Sequence, residues 1–284
     1  MDSGVNNEVI IRVACFSVVL LALLLGEWLS PKRKRDATTR FRQGHNILLF
    51  VAGALVVRAL FPAAAVGVAL YADAKGWGLM NAAFALQLPQ ALWVVLGFVV
   101  LDFSIWCQHY CFHKVPLLWR LHRVHHSDVA FDVTTALRFH PVEIILSMMI
   151  KSAIIVLLGV PVLSVLVFEV VLNGVSMFNH GNIQLPAKLD RFLRLWLVTP
   201  DMHRVHHSWH RDETDSNFGF NLPWWDWLFR TYCDQPRDGH DGMQVGLKQF
   251  REKADTRIDR LLIQPLMPVD SRAKGDVSPR DEAS

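Results

Sequence analysis

The sequence predicts an all-α integral membrane protein, with four to six membrane-embedded helices and a cytosolic helical cap that carries clustered histidines. Three observations predict it. Hydrophobic residues fill 52% of the 284 positions and charged residues 19%, with a mean hydropathy of +0.24, a mix too apolar for an ordinary soluble globule. The apolar residues gather into runs long enough to cross a bilayer. Between the later runs lie three short boxes that hold His109 and His113, then His122, His125 and His126, then His203, His206 and His207. The length favours a single integrated domain, 1–265, followed by a tail at 266–284 whose Asp, Ser, Arg and Pro content reads as disordered. A net charge of +3 with no basic stripe of interleaved aromatics excludes nucleic acid as a partner.

Taken in order, residues 8–29 are apolar except for Arg12 and Glu27. The segment before them carries acid where a signal peptide has a basic region, so this run reads as a retained transmembrane helix. Pro31-Lys32-Arg33-Lys34-Arg35, with Arg40 and Arg42 close behind, is a basic loop beside an apolar span, which places it in the cytoplasm. Residues 46–71 form a second run, broken at Pro62, that fits either one kinked span or a helical hairpin. A polar turn at Asp73–Trp77 precedes a third run from about Ala83 to Trp106, whose helix can continue past the membrane surface into His109 and His113. Residues 142–178 are mostly apolar and broken at Gly159-Val160-Pro161. Two helices fit better there than one of about 55 Å. A hairpin also returns the chain to the side it left, so the boxes on either side of it can meet. Residues 179–250 are polar, with Trp224-Trp225-Asp226-Trp227 suited to a membrane interface.

His122-Arg123-Val124-His125-His126-Ser127 recurs word for word at His203–Ser208. At this histidine content about 0.03 H-x-x-H-H matches are expected by chance, so two copies form a specific motif. His109 and His113, four residues apart, share one face of a helix. Thr199-Pro200 supplies an N-cap and a first helical residue for the last box. Cys107 sits about 200° around a helix from His109, so the cysteines, none in a C-x-x-C pair, read as small apolar residues and not as ligands. A lone histidine such as His45 or His240 reads as an ordinary polar residue. Gathering so many imidazoles is costly unless a cation uses their lone pairs. A structural zinc needs only four ligands, so the boxes imply two metals a few ångströms apart or two separate sites. Imidazole suits zinc, iron, copper and nickel, with iron the first choice for redox chemistry beside a lipid-facing chamber.

The order H-x-x-x-H, H-x-x-H-H, H-x-x-H-H resembles the fatty acid hydroxylase/sterol desaturase superfamily of membrane-bound di-iron oxygenases. Flanking residues agree: Arg138-Phe139-His140-Pro141 with Glu143, Phe178-Asn179-His180-Gly181-Asn182, Asn217-Phe218-Gly219 and Trp225-Asp226-Trp227-Leu228-Phe229. The likeness covers about residues 95–235, taken as the catalytic core. It implies nine metal ligands, namely His109, His113, His122, His125, His126, His180, His203, His206 and His207. His140 matches a recurring family position that either binds metal or supports a ligand. Asn217 either orients a ligand or bound water or shapes its turn. Asp201, Asp212 and Asp226 are candidates to hold the outer ring nitrogens of ligating histidines. His210 lies outside the family pattern. Two departures stand out. Ser176 occupies a place where the fatty acid 2-hydroxylase branch has a further histidine, and Arg230 replaces a usual glycine. The run from His122 with Thr134-Thr135-Ala136-Leu137-Arg138 is similar to the alkylglycerol monooxygenase branch.

The resemblance implies a cofactor of two iron ions, O2 as co-substrate, a lipid or sterol-like substrate that is hydroxylated or desaturated, and an external electron donor protein or reductant. With no Rossmann glycine loop and no cysteine set for an iron–sulfur cluster, the electrons are expected from that partner. Two rival readings are a membrane metal transporter, which would place its ligands within the spans, and a zinc-dependent membrane hydrolase, which would need a water-activating carboxylate that neither H-x-x-H-H box contains.

Overall fold

The computed structural model describes residues 2–35, 38–83 and 88–268. The tail expected to be disordered lies outside the described residues from position 269 onward. Among the described residues every extended element is helical, apart from isolated β-bridges at Pro31–Ile183 and Ser208–Val245. The first run is α1 (Asp2–Leu29) and the second splits into α2 (Thr39–Leu60) and α3 (Ala64–Ala74). After the short α4 (Leu79–Ala83) come α5 (Gln90–Lys114), α6 (Pro116–His126), α7 (Pro141–Leu158), α8 (Val162–Asn179), α9 (Ala187–Leu193) and α10 (Pro200–His206). Among the described residues four segments are long and apolar enough to cross a membrane: 39–82, 90–114, 141–158 and 162–179.

Proline and glycine set the boundaries as the sequence suggests. Gly159, at φ +63°, ends α7 in the left-handed region, and Pro161 then caps α8, forming the expected hairpin. Thr199 caps α10 through Met202 N–H, and Pro200 takes the first helical position. The choice left open for the second run falls to the kinked span. Gly53 of α2 abuts Ile144 near the start of α7, and Gly78 abuts Gly159 at its end, so α2 and α3 follow α7 along its length. The third run begins later than the pattern suggests. Proline cannot supply a helical N–H within a turn, so α5 starts after Pro89 instead of near Ala83.

The path alternates ends. The C-termini of α1, α5 and α8 and the N-termini of α2 and α7 all reach one end of the bundle, and that end carries the histidines. A core of Leu101, Ile105, Ile155, Val165 and Phe168 lies within the helices. At the histidine end the ties are polar. Glu27, at the end of α1, accepts from Val133 N–H (2.7 Å) and Asn182 N–H (2.9 Å), joining two distant loops. Arg42 of α2 pairs with Asp128 at 2.7 Å and with Asp132, while Asn46 donates to Asp128 and Thr134. Arg138 donates to Val124 O, Asn46 Oδ1 and Ser127 Oγ, each at 2.9 Å. Residues 264–267 fold back onto α6, where Arg120 and Arg123 donate to their carbonyls.

Arg42 is 1% exposed between two buried carboxylates. Arg42→Met removes their counter-charge and is expected to destabilise the detergent-solubilised protein by about 3–5 kcal/mol, read as a drop in the thermal unfolding midpoint. An unchanged midpoint would show that this network does not hold the histidine end together.

Candidate metal centre

The nine histidines expected as ligands come from five places in the chain: the end of α5, the end of α6, the turn after α8, α10, and the residue that follows it. They assemble into two buried groups. His109, His113, His122, His126 and His206 form the first, and His125, His180, His203 and His207 the second. Within each group the candidate ligating nitrogens lie within 4.8 Å of one another. H-x-x-H-H explains the division between them. On α6 the first and last histidines of the box, four apart, face the first group, while His125 turns to the second. On α10 the box is divided the other way, with only His206 in the first group.

The outer nitrogens define which lone pairs point inward. His109 Nδ1 lies 2.7 Å from Phe218 O, His206 Nδ1 2.6 Å from Ser216 O, and His180 Nδ1 2.7 Å from Ser176 O. A carbonyl oxygen only accepts, so each of these Nδ1 atoms must carry its hydrogen. In a neutral ring Nε2 is then a bare lone pair. Yet His109 Nε2 faces His206 Nε2 at 3.1 Å, and His180 Nε2 faces those of His125 at 3.2 Å and His203 at 3.1 Å. His122 Nδ1 meets Glu143 at 2.7 Å while its Nε2 stands 3.0 Å from that of His109. Burial keeps the rings neutral. It pushes His122 down to about 3 and His180 to about 4, and it holds His125, His126, His203, His206 and His207 well below the usual imidazole range. Opposed lone pairs in a dry interior repel unless a cation lies between them. His113 Nε2, His126 Nε2 and both nitrogens of His207 are likewise buried with no hydrogen-bond partner. The donor set therefore fits metal ions, one per group.

Other expected residues fall elsewhere. His140 belongs to neither group: its Nδ1 accepts from Val142 N–H at 3.2 Å and its Nε2 donates to Leu262 O at 3.1 Å, so it caps α7 and has no lone pair free for metal. Asn217 does not reach the histidines. Its side chain bridges Met202 O and both the N–H and O of Cys233, and its backbone takes a positive φ of 50°. That turn presents Ser216 O and Phe218 O to His206 and His109. Asp201, Asp212 and Asp226 hold no ring nitrogen of a candidate ligand. Asp201 pairs with Arg204 and Asp212 with Arg237, while Asp226 accepts from Phe218 N–H, Gly219 N–H, Trp106 and Thr231. The carboxylates that do so are Glu143, at His122, and Asp215, 3.3 Å from His113 Nδ1. Glu143 had stood only as part of a flanking signature, and Asp215 carries no spacing signal that links it to His113, 102 residues away. His210 bonds Asp238 at 2.8 Å near the surface, and neither Cys107 nor Cys111 joins a group. The tryptophan cluster divides: Trp224 and Trp227 are partly exposed, while Trp225 donates to Asp102 within the fold.

Below the first group lies a chamber of about 250 Å³ that opens at a mouth. His109, His122 and Glu143 wall its upper part. Phe16, Phe50, Leu137 and Met177 line it, so α1, α2 and α8 all contribute. Phe16 and Phe50 stack with ring centres 5.5 Å apart.

Such a fold and site define a membrane-type helical protein with a buried polyhistidine centre at the head of an apolar chamber. Comparison with known proteins agrees. Residues 94–231 match the family model for fatty acid hydroxylase. It is 34% identical over 152 residues to an ornithine lipid hydroxylase from Rhizobium tropici, a match covering 53% of this chain and 45% of the relative. It is 29% identical over 141 residues to an alkylglycerol monooxygenase from Homo sapiens (48% and 29% covered) and 28% identical over 141 residues to a cholesterol 25-hydroxylase from Rattus norvegicus (49% and 46% covered). The matched segments thus span less than half the length of these curated relatives. No solved structure matches significantly.

Glu143→Ala removes the acceptor that orients His122 without removing a ring. The affinity for added Co2+, followed by its absorption bands, is expected to fall 10–100-fold, with Glu143→Gln intermediate. Affinity equal to that of the unaltered protein would mean that Glu143 does not set the His122 ring.

Proposed function

We propose that the protein is a membrane-bound di-iron oxygenase that uses O2 to hydroxylate, or desaturate, a C–H bond of a lipid or sterol-like substrate. The observation that carries this reading is the opposed Nε2 lone pairs of His109 and His206, fixed inward by carbonyl acceptors, among nine buried imidazoles gathered in two adjacent groups at the head of an apolar chamber. The match to the fatty acid hydroxylase family model, and relatives named as hydroxylases and monooxygenases of lipids and a sterol, support the same chemistry.

His109, His113, His122, His126 and His206 would hold one iron, and His125, His180, His203 and His207 the other. Iron, when bound, supplies the oxidising power for C–H cleavage, with electrons from an external donor protein or reductant. The protein's own part is positional. Glu143, Asp215 and the carbonyls of Ser176, Ser216 and Phe218 hold the rings at fixed angles, so no side chain need reorganise during turnover. Phe139 stacks on His125 at 4.4 Å, and Phe131 on His180 at 5.5 Å, which keeps water from the second group. The chamber seats the substrate chain against His109 and His122 and shields it from solvent.

The basic loop supports a cytoplasmic position for this end. Lys32 N–H donates to Asn182 O and Arg33 N–H to Asn182 Oδ1, two residues from His180, so the loop and the histidines share one side of the bundle. By the positive-inside rule that side faces the cytoplasm.

Replacing any one of His122, His125, His203 or His206 with alanine is expected to lower bound iron and cut lipid oxidation by more than about 100-fold while the protein stays in the membrane. Mass spectrometry of lipids from cells with and without the protein reads the reaction, as a gain of one oxygen or a loss of two hydrogens. His240→Ala should be tolerated. Full activity in any two of the four ligand variants would contradict a shared centre.

A further inference from the structure

Two polar rows descend from the metal centre into the chamber, and below Glu143 and Ser176, which hold His122 and His180, their side chains touch no histidine. On α7, Glu143, Ser147 and Lys151 are spaced four apart and so face one way. On α8, Ser176 and Asn173 face the same space. From α5, Gln108 donates to Ser147 Oγ at 2.8 Å. At the foot of the rows Lys151 Nζ donates to Glu169 Oε1 at 2.9 Å, and the two side chains are only 13% and 3% exposed.

This pair lies inside two of the apolar spans, each member seven residues from the nearest span end at the Gly159–Pro161 turn. Ionisable groups at such depth are costly, and replacing a buried pair with apolar residues is commonly neutral or stabilising. A chamber for plain hydrocarbon would therefore do without it. Glu169 takes one of the three N–H bonds of the ammonium, and the same ammonium walls the chamber. The group it can receive there is an oxygen acceptor. The pair is already neutral overall, so a carboxylate or phosphate would leave a net charge buried among apolar helices, whereas a hydroxyl, ether or carbonyl oxygen would not.

We propose that Lys151, held by Glu169, is a specificity-determining residue: it binds an uncharged oxygen of an amphiphilic substrate, about 12 Å along the chain from the carbon presented to His109 and His122. That span follows from the eight residues that separate Glu143, at the top of the row, from Lys151 at 1.5 Å per residue. The inference rests on the chamber being the substrate's seat, as in the reading above.

The test is binding, with neither O2 nor reductant present, so it does not depend on turnover. Full-length protein in nanodiscs is titrated with octadecane, 1-octadecanol and stearic acid as competitors of a bound pyrene-labelled alkyl chain. The alcohol is expected to compete at least tenfold better than either the alkane or the carboxylate. In Lys151→Met/Glu169→Leu that preference should fall to within twofold while octadecane competes as before. Equal competition by alkane and alcohol in the unaltered protein overturns the proposal without any variant. So does stearate as the best competitor, which would make the site an anion site. An equal loss for all three ligands in the double variant would reduce the pair to a strut between α7 and α8. Failure of lipid oxidation with the alcohol preference intact would instead count against the oxygenase reading alone.

Discussion

The structure depends on the placement of one hydrogen on each ring. Nine imidazoles packed this closely can coexist only as neutral rings, and a neutral imidazole has one N–H and one lone pair. The fold spends that N–H outward. Where Phe218 O and Ser216 O take it, His109 and His206 are left with bare nitrogens facing each other at 3.1 Å, and Ser176 O leaves His180 Nε2 as a lone pair aimed at His125 and His203. A protein does not hold that arrangement for its own stability, so the inward faces are a demand for cations built into the chain. Glu143 and Asp215 add to this, since a carboxylate behind the ring raises its basicity toward a metal.

Holding those rings requires a stiff scaffold, because the outer partners come from distant segments. Asn217 shows how local geometry serves two histidines at once. At φ +50° it turns the chain so that the carbonyls on either side of it point at His206 and His109, and its own amide ties the turn to Met202 and Cys233. Asp226 braces the same turn from below through Phe218 N–H and Gly219 N–H. The duplicated H-R-V-H-H-S word has a second function besides ligation. Val124 and Val205 are fully buried behind the rings, and the arginines turn away from them. Arg123 grips the carbonyls of residues 264 and 267, while Arg204 pairs with Asp201 and covers Phe131 at 5.2 Å. One face of each box thus meets the metal site and the other fastens the box to the fold.

Much of this was legible in the sequence, for a physical reason. Histidine spacing, apolar run length, and the breaks at Gly159-Val160-Pro161 and Thr199-Pro200 are local properties, and a local property survives without a fold. The hairpin and the shared end of the bundle followed from them. What was not legible is long-range. Whether Pro62 kinks one span or turns a hairpin depends on packing along α7, which periodicity does not carry. Choosing among acids for the ring partners failed for the same reason. Asp201, Asp212 and Asp226 lie near the boxes in sequence but bond elsewhere, while Asp215 reaches His113 across 102 residues. His140 matched a motif position yet serves as a helix cap, because its place at the N-terminus of α7 leaves Val142 N–H in need of an acceptor.

The two histidine groups are not equivalent toward the chamber. Only His109 and His122, both of the five-histidine group, wall it. The four-histidine group lies behind Phe139, which lines the chamber and stacks on His125. A chain seated in the chamber therefore meets one group and is screened from the other. The asymmetry follows from α5, which delivers His109 from within the apolar bundle, whereas His203 and His207 arrive on and just after the short α10 outside it. The α7 row leads through Glu143 to the group that α5 carries, so on the proposed reading membrane helices fix the substrate's position. In the proposed oxygenase the apolar spans would determine which bond is attacked, and the cap would complete the centre that attacks it.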